Sequence, residues 1–334
     1  MKEGKLLTVV VPVYKVEPYI DKCLSSLILE DPAQMDALEV IIVNDGTPDR
    51  SAEMSREYVK RYPGTFRQID KENGGHGSAW NVGLEAATGK YLRFMDSDDW
   101  LTNLDRLMQD LSGCDADIVL NPFNMIFLPE NRMEEKRHPV KPRVVMPIMD
   151  SSWGSADQGL NGVYFWGVIH KTRILKPLMP LFAEKVMYDD YILSWAPFVH
   201  GRTFVSFDYV VYNYLLGRPG QSMSAADQRK GALSYAKCFD QFEAVRTRID
   251  EEAIPPELLR CIDRSIGRYA SHVFTKMIYL PLKDALKRMD YLWENYLADT
   301  PDKSHLEKRY GALPGVVFYY VEHLRRRIKH FKQL

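Results

Sequence analysis

The sequence predicts an α/β fold, a parallel sheet flanked by helices and followed by a helical C-terminal domain. Three observations carry that expectation. Short apolar runs alternate with segments of helical period over the first hundred residues, the pattern of strands joined by right-handed crossovers. Two of these runs end abruptly in acidic residues, at Asn44-Asp45-Gly46 and at Asp96-Ser97-Asp98-Asp99. Beyond Ser224 the strand signals give way to amphipathic helical spacing.

Leu6 to Tyr14 reads as a buried strand, an apolar run too short to span a membrane. Pro12 stops further pairing on one side of it. From Glu17 to Leu29, the residues Ile20, Cys23, Leu24, Leu27 and Ile28 fall on one helical face. Glu39 to Gly46 is a second buried strand, Ser51 to Tyr62 a helix, and Asn73-Gly74-Gly75-His76-Gly77-Ser78 a glycine-rich loop. Ala79 to Ala87 returns to helix, and Tyr91 to Met95 is the strand that leads into the acids. Ligands of such sheets sit beyond the carboxyl ends of the strands, so Tyr14, Asp45 and Asp96 are expected along one crevice.

The stretch Pro129 to Pro142, rich in proline and charge, is expected as an exposed loop between two halves of this domain. Tyr164 to His170 reads as a strand with an aromatic face, and Asp189-Asp190 as the entry to a helix through Trp195. Ala226 to Asp250, Glu257 to Tyr279 and Asp284 to Leu297 read as helices, broken near Pro255-Pro256 and Pro281. The expected domains are 1–225, with halves 1–112 and 113–225, and a helical 226–334.

Three carboxylates within four residues at a strand tip repel one another and lose hydration unless a cation holds them. Asp and Ser supply oxygen ligands, suited to Mg²⁺ or Mn²⁺ rather than to zinc. A metal gripped by two such carboxylates can itself grip a diphosphate. The alternative is a polar turn, with Asp98 or Asp99 as N-cap of a helix from Trp100 onward.

Taken in order, Val11-Pro12-Val13-Tyr14, Val43-Asn44-Asp45-Gly46, the glycine-rich loop and Asp96-Ser97-Asp98-Asp99 resemble the family-2 glycosyltransferases, over roughly Leu6 to Ser224. The resemblance implies a GT-A (Rossmann-like) fold with a mixed, mainly parallel sheet, and an inverting enzyme using nucleotide-sugar donors. It implies that Pro12 and Tyr14 lie along the nucleotide and that Asp45 accepts a hydrogen bond from the base. Asp96 would face the ribose or sugar, and Asp98, with Asp96, would hold Mn²⁺ or Mg²⁺. Gly74, Gly75, His76, Asn81 and Ser97 join the expected donor site. Asp189-Asp190 stands where the family places an acidic pair whose second member is the general base. Asp190 is therefore expected as the base and Asp189 as its orienting partner; the alternative is an acidic pair favoured by a helix dipole. In the loop after Tyr212-Asn213-Tyr214, Arg218 and Ser222 are expected to reach the diphosphate, unless Gly217 to Gly220 is a plain turn.

Two positions depart from the family. Lys15 stands where Asn is common, and Trp80 stands where many members carry the Arg of Ala-Arg-Asn, which removes a fixed cation near the donor. Lys15 is either a replacement cation or a solvated surface lysine. His76 is either a donor contact or a structural residue of its turn. Trp153, Tyr164 and Trp166 are either an acceptor wall or core.

A net charge of −1 and a pI near 6.7 argue against a general nucleic-acid binder. Cys23, Cys114, Cys238 and Cys261 show no zinc or redox spacing and read as reduced thiols of a cytoplasmic chain. No signal peptide and no apolar run of ~18 residues is evident. In 316–332, Val317, Val321, Leu324, Ile328 and Phe331 line one helical face beside Arg325, Arg326, Arg327, Lys329 and Lys332. That helix either makes peripheral contact with the inner face of an anionic cell membrane or packs on its neighbours with a solvated basic face. The expected activity is transfer of a sugar from a nucleoside-diphosphate donor, a UDP-sugar by preference, to a hydroxyl of a glycan or lipid-linked acceptor. Single displacement, a divalent metal and an Asp base would carry it. The sequence leaves open a homodimer, and two alternatives: an inactive relative that scaffolds glycan assembly, and a sugar-phosphate nucleotidyltransferase.

Overall fold

The computed structural model describes residues 4–138, 140–148, 165–218 and 228–297. Trp153, Tyr164, Ser222 and the segment 316–332 lie outside the described residues.

Four parallel strands, β1 (Leu7–Val13), β2 (Leu38–Asn44), β3 (Phe66–Asp70) and β4 (Tyr91–Phe94), lie in the order β3-β2-β1-β4. Between them run α1 (Ile20–Ser25), α2 (Pro32–Ala37), α3 (Ser51–Arg61) and α4 (His76–Ala86). All seven residues of β1 are buried, as a central strand covered on both faces requires. Its pairing with β4 stops at Val10 while pairing with β2 runs on to Val13; Pro12 lacks the N–H that would carry the ladder further on the β4 side.

The chain continues through β5 (Trp100–Leu101), α5 (Leu104–Ser112), β6 (Ile118–Leu120), β7 (Phe123–Phe127), β8 (Arg132–Lys136) and β9 (Met146–Pro147). It then forms β10 (Val168–Lys171), α6 (Thr172–Leu175), β11 (Thr203–Ser206) and β12 (Tyr212–Leu216). Strand β10 enters antiparallel between β4 and β6, and the sheet ends in β11 and β9. A second sheet has the order β5-β12-β7-β8. The fold is thus mixed, mainly parallel α/β.

Several elements differ from expectation. Residues after Asp99 extend as β5, paired antiparallel with β12, so no helix starts at Trp100 and neither Asp98 nor Asp99 is its N-cap. The charged stretch after Pro129 holds β8, which pairs with β7. Phe165–Gly167 is a 3-10 turn and the strand begins only at Val168. Asp189–Ser194 is likewise 3-10 rather than α. Tyr188 enters it at φ +67°, and a second 3-10 turn, Ala196–Phe198, follows it.

Each face of the main sheet carries its own core. Val9, Val11, Leu24, Leu107 and Val205 belong to one. The other joins Val10, Leu92 and Phe94 to Trp80 and Leu84 of α4, and continues without a break into three C-terminal helices. These are α7 (Gln228–Arg246), α8 (Pro256–Lys276) and α9 (Leu282–Leu292), which contribute Phe239, Phe274 and Met289. The apolar core therefore runs across the boundary expected at residue 225.

Lys15, directly after the β1 tip, holds φ +55° while its amide donates to Thr47 Oγ1 at 2.8 Å. A side chain with a Cβ pays roughly 1 kcal/mol in this left-handed region, where Asn is more at ease. The residue is exposed, so no packing offsets that cost. Lys15→Asn is expected to raise the stability by about 0.5–1 kcal/mol, read as a higher midpoint in urea unfolding with an unchanged m value.

Candidate active site

The carboxyl ends of β1, β2 and β4 open on one crevice. Tyr14, 42% exposed, stands at its mouth with Lys15 Nζ 5.1 Å from the ring centre, while Pro12 is buried within β1. Asp45 is 2% exposed, and its carboxylate accepts from Lys71 Nζ (2.7 Å), Gly74 N (2.9 Å) and Gly75 N (2.8 Å). These three donors tie it to the glycine loop. Gly75 needs its missing side chain, because it sits at φ +88° with Lys185 N 2.9 Å from where a Cβ would be. Asn81 Nδ2 donates to Phe182 O, its Oδ1 accepts from Leu181 N and Phe182 N, and it is 7% exposed. It ties α4 to the segment leading to the acidic pair.

At the β4 tip, Ser97, Asp98 and Asp99 are buried and Asp96 is partly exposed. Strand β12 braces them. Tyr212 Oη donates to Asp99 Oδ2 at 2.6 Å and accepts from Asp96 N, and Leu215 N donates to Asp99 Oδ1 at 2.8 Å. Farther along, Arg218 Nε donates to Asp98 Oδ2. Burial and the neighbouring Asp96 charge raise the Asp98 carboxyl, against the pull of Arg218. Burial with Asp98 and Asp96 drives Asp99 well above the carboxylate range.

The acidic pair closes the other side. Asp189 is 4% exposed and Asp190 partly exposed. His76, at the first turn of α4, stands between the two acidic groups. Its Nδ1 lies 3.1 Å from both Asp189 oxygens, and its Nε2 lies 3.0 Å from Asp96 Oδ1. Those two carboxylates hold the imidazole well above its ordinary pKa despite burial. The Asp190 carboxyl is pushed up to about 7, first by burial and then by Asp189 and Asp96, with His76 pulling it back. A carboxyl titrating there is suited to proton abstraction at neutral pH.

An aromatic wall lies beside these acids. Trp166 stacks on Tyr214 at 4.1 Å and 19°, and the Tyr214 hydroxyl is raised by burial and by Asp96, Asp99, Asp190 and Asp98. Tyr188 stacks on Tyr235 of α7 at 4.6 Å. Tyr214 escaped the sequence reading, although its alternation with Tyr212 along one strand places both on the same face. Lys71 escaped it because nothing local marks the residue as the partner of Asp45, 26 positions away.

Asp96 and Asp98 offer oxygen donors only, crowded by like charge and partly desolvated, which fits a hard divalent ion. Among the described residues no group of three or more His, Cys, Asp or Glu side chains is arranged to hold a metal. Two carboxylates suffice for Mg²⁺ or Mn²⁺ when a diphosphate and water supply the remaining ligands. The residues present therefore fit such an ion.

A mixed sheet with a carboxylate tip facing a second acidic pair fits the GT-A fold, and the comparisons agree. Residues 8–167 match Glycosyl transferase family 2. The glycosyltransferase EpsJ of Bacillus subtilis is 31% identical over 191 residues, 55% of this chain and 53% of EpsJ. The poly(ribitol-phosphate) beta-glucosyltransferase of Bacillus spizizenii is 26% identical over 301 residues, 87% of this chain and 44% of that protein. The chain thus spans about half the length of these curated relatives. The S. aureus TarS 1-349 structure in complex with UDP superposes with a TM-score of 0.64 at 17% identity, over 96% of this chain and 91% of that one, which shows the fold. Among the described residues no helix is long and apolar enough to cross a membrane.

Proposed function

We propose that the chain transfers a sugar from a UDP-sugar to a hydroxyl of a cell-envelope glycan or lipid-linked polymer, with inversion and by a single displacement. The observation that carries this reading is the meeting, in one crevice, of the Asp96–Asp99 tip with Asp190, a carboxyl titrating near 7. Similarity to proteins named for teichoic acid synthesis supports an envelope acceptor, and the UDP and UDP-GlcNAc complexes of TarS support the donor.

In the reaction the acceptor oxygen attacks the anomeric carbon as the bond from that carbon to the diphosphate oxygen breaks. Asp190 takes the acceptor proton on a carboxylate oxygen, and the electron pair leaves with the diphosphate. Asp189, held by His76, keeps the neighbouring carboxylate oriented. Arg218, already beside the β4 tip, offers a guanidinium fork to the leaving charge. Asp96 and Asp98 would hold Mn²⁺ or Mg²⁺, which when bound supplies Lewis-acid stabilisation of that charge. Tyr214 and Trp166 offer a flat apolar face to an acceptor ring.

A thermal-shift panel of UDP-, GDP-, CMP- and dTDP-sugars, with and without Mn²⁺, tests the donor. A ligand at ~100 times its Kd adds about 2.7 kcal/mol, so a UDP-sugar is expected to raise Tm only when Mn²⁺ is present. Asp98→Ala should abolish the metal-dependent part of that shift. A response confined to another nucleotide, or to none, overturns the donor assignment.

A further inference from the structure

Helix α4 begins at His76, and one turn later Trp80 lies fully buried against Phe94, Phe165 and Phe182. His76 occupies the same face, as residues i and i+4 do, and its ring packs on Trp80 with centroids 4.0 Å apart. Both of its nitrogens meet carboxylates, Asp96 from β4 and Asp189 from a segment more than one hundred residues away. The surrounding backbone is shaped for this contact. Gly77 has Asp189 Oδ2 2.5 Å from where a Cβ would sit, and Lys185 N donates to Gly74 O at 2.7 Å.

We propose that His76 is a positioning residue, a clasp that joins the donor-side Asp96 to Asp189 and so aims Asp190 at the acceptor hydroxyl. This rests on the reading of Asp190 as the general base. The clasp couples the two halves of the site, because the segment carrying the acidic pair touches the donor side through this ring. Losing it leaves Asp189 buried beside Asp190 without its partner, and the 3-10 turn that carries both loses its reference point.

A double-variant cycle reads the clasp in the free protein. His76→Gln, Asp189→Asn and the double variant are compared by Tm. The double variant is expected to lose no more than the worse single one, since each single change already breaks the contact; losses that simply add overturn the clasp. Turnover adds a readout that a merely structural histidine would not move. With UDP-glucose or UDP-GlcNAc and Mn²⁺ as probes, His76→Ala should lower the rate of UDP release roughly 10²-fold, the usual cost of a misplaced reacting group, with the UDP-induced thermal shift retained. Millimolar imidazole should restore at least tenfold in His76→Ala and nothing in His76→Phe, whose ring fills the space. A His76→Ala enzyme with wild-type turnover, or rescue in both variants, refutes the proposal. Full activity in Asp190→Asn would instead sink the base assignment, whatever His76 does, so the two failures are distinguishable. If neither probe turns over in the wild type, the Tm cycle decides.

Discussion

Asp190→Asn is expected to lower the transfer rate by about 10²–10⁴-fold, the usual contribution of a general base, while leaving donor binding intact. Asparagine keeps the shape and cannot accept the acceptor proton. The pH dependence gives an independent check. Burial and the charges of Asp189 and Asp96 hold the wild-type carboxyl near 7, so the base is protonated and idle below that pH and competent above it. kcat/KM should therefore rise with pH and reach half its plateau near 7. A donor-bound cation on Asp96 would cancel one of the raising charges, which places the inflection in kcat below that in kcat/KM. The same shift has a stability sign. A carboxyl raised from 3.8 to about 7 on folding favours the fold below 3.8 and loses that contribution as pH climbs through 7. Asp190→Asn should thus match the wild-type Tm near pH 4 and exceed it by pH 8. A variant that is inactive at every pH but shows no such gain would mean that Asp190 is not desolvated as described. An Asn variant with normal turnover would remove it from the chemistry.

Much of the donor side was legible because its signals are local. Seven consecutive buried residues, mostly Val, Leu and Ile, make up each of β1 and β2, and Asp45 and Asp96–Asp99 mark the ends of β2 and β4 directly. What stayed hidden depends on contacts across long separations. Lys71 neutralises Asp45, Tyr212 holds Asp99 across 113 positions, and His76 meets Asp189 across another 113. No period or spacing encodes such partners. Asn81 was read as a donor residue from its place in an ordered motif, which gave no sign of its hydrogen bonds to the backbone of 181–182. The short strands β3, β6 and β11 escaped notice because three to five residues are too few for a two-residue alternation to stand out. The Asp189–Ser194 turn was read as an α-helix because its apolar spacing fits either helix. The left-handed Tyr188 sets its start, and only the fold shows that conformation.

Gly77→Ala is the single-methyl change expected to do most damage. A Cβ there would sit 2.5 Å from Asp189 Oδ2 and 2.9 Å from Phe182 Cβ, and closer still to the carbonyl oxygen of Ala183. A flexible side-chain tip can yield to such an intrusion; a backbone carbonyl cannot without moving its segment. That segment is pinned by Asn81 at residues 181 and 182 and by the Lys185 amide on Gly74 O, so the strain falls on the carriage of Asp189 and Asp190. Overpacking of this kind costs typically ~1–3 kcal/mol, which should appear as a Tm lower by several degrees. Turnover should fall by about 10²-fold or more, because ångström-scale misplacement of a reacting group is enough for that. Gly113→Ala supplies the control. Its φ of −91° suits any residue and a Cβ there meets nothing within 4 Å, so stability and turnover should both hold. The two outcomes together test whether the glycines of the loop serve the acidic pair or merely the turn. If Gly77→Ala lowers Tm yet turns over normally, the 183–190 segment can shift without disturbing Asp190, and the close approach of α4 to Asp189 is packing alone. If turnover collapses while the UDP-induced thermal shift survives, the glycine loop conventionally assigned to the donor is also the seat on which the acceptor-side base rests.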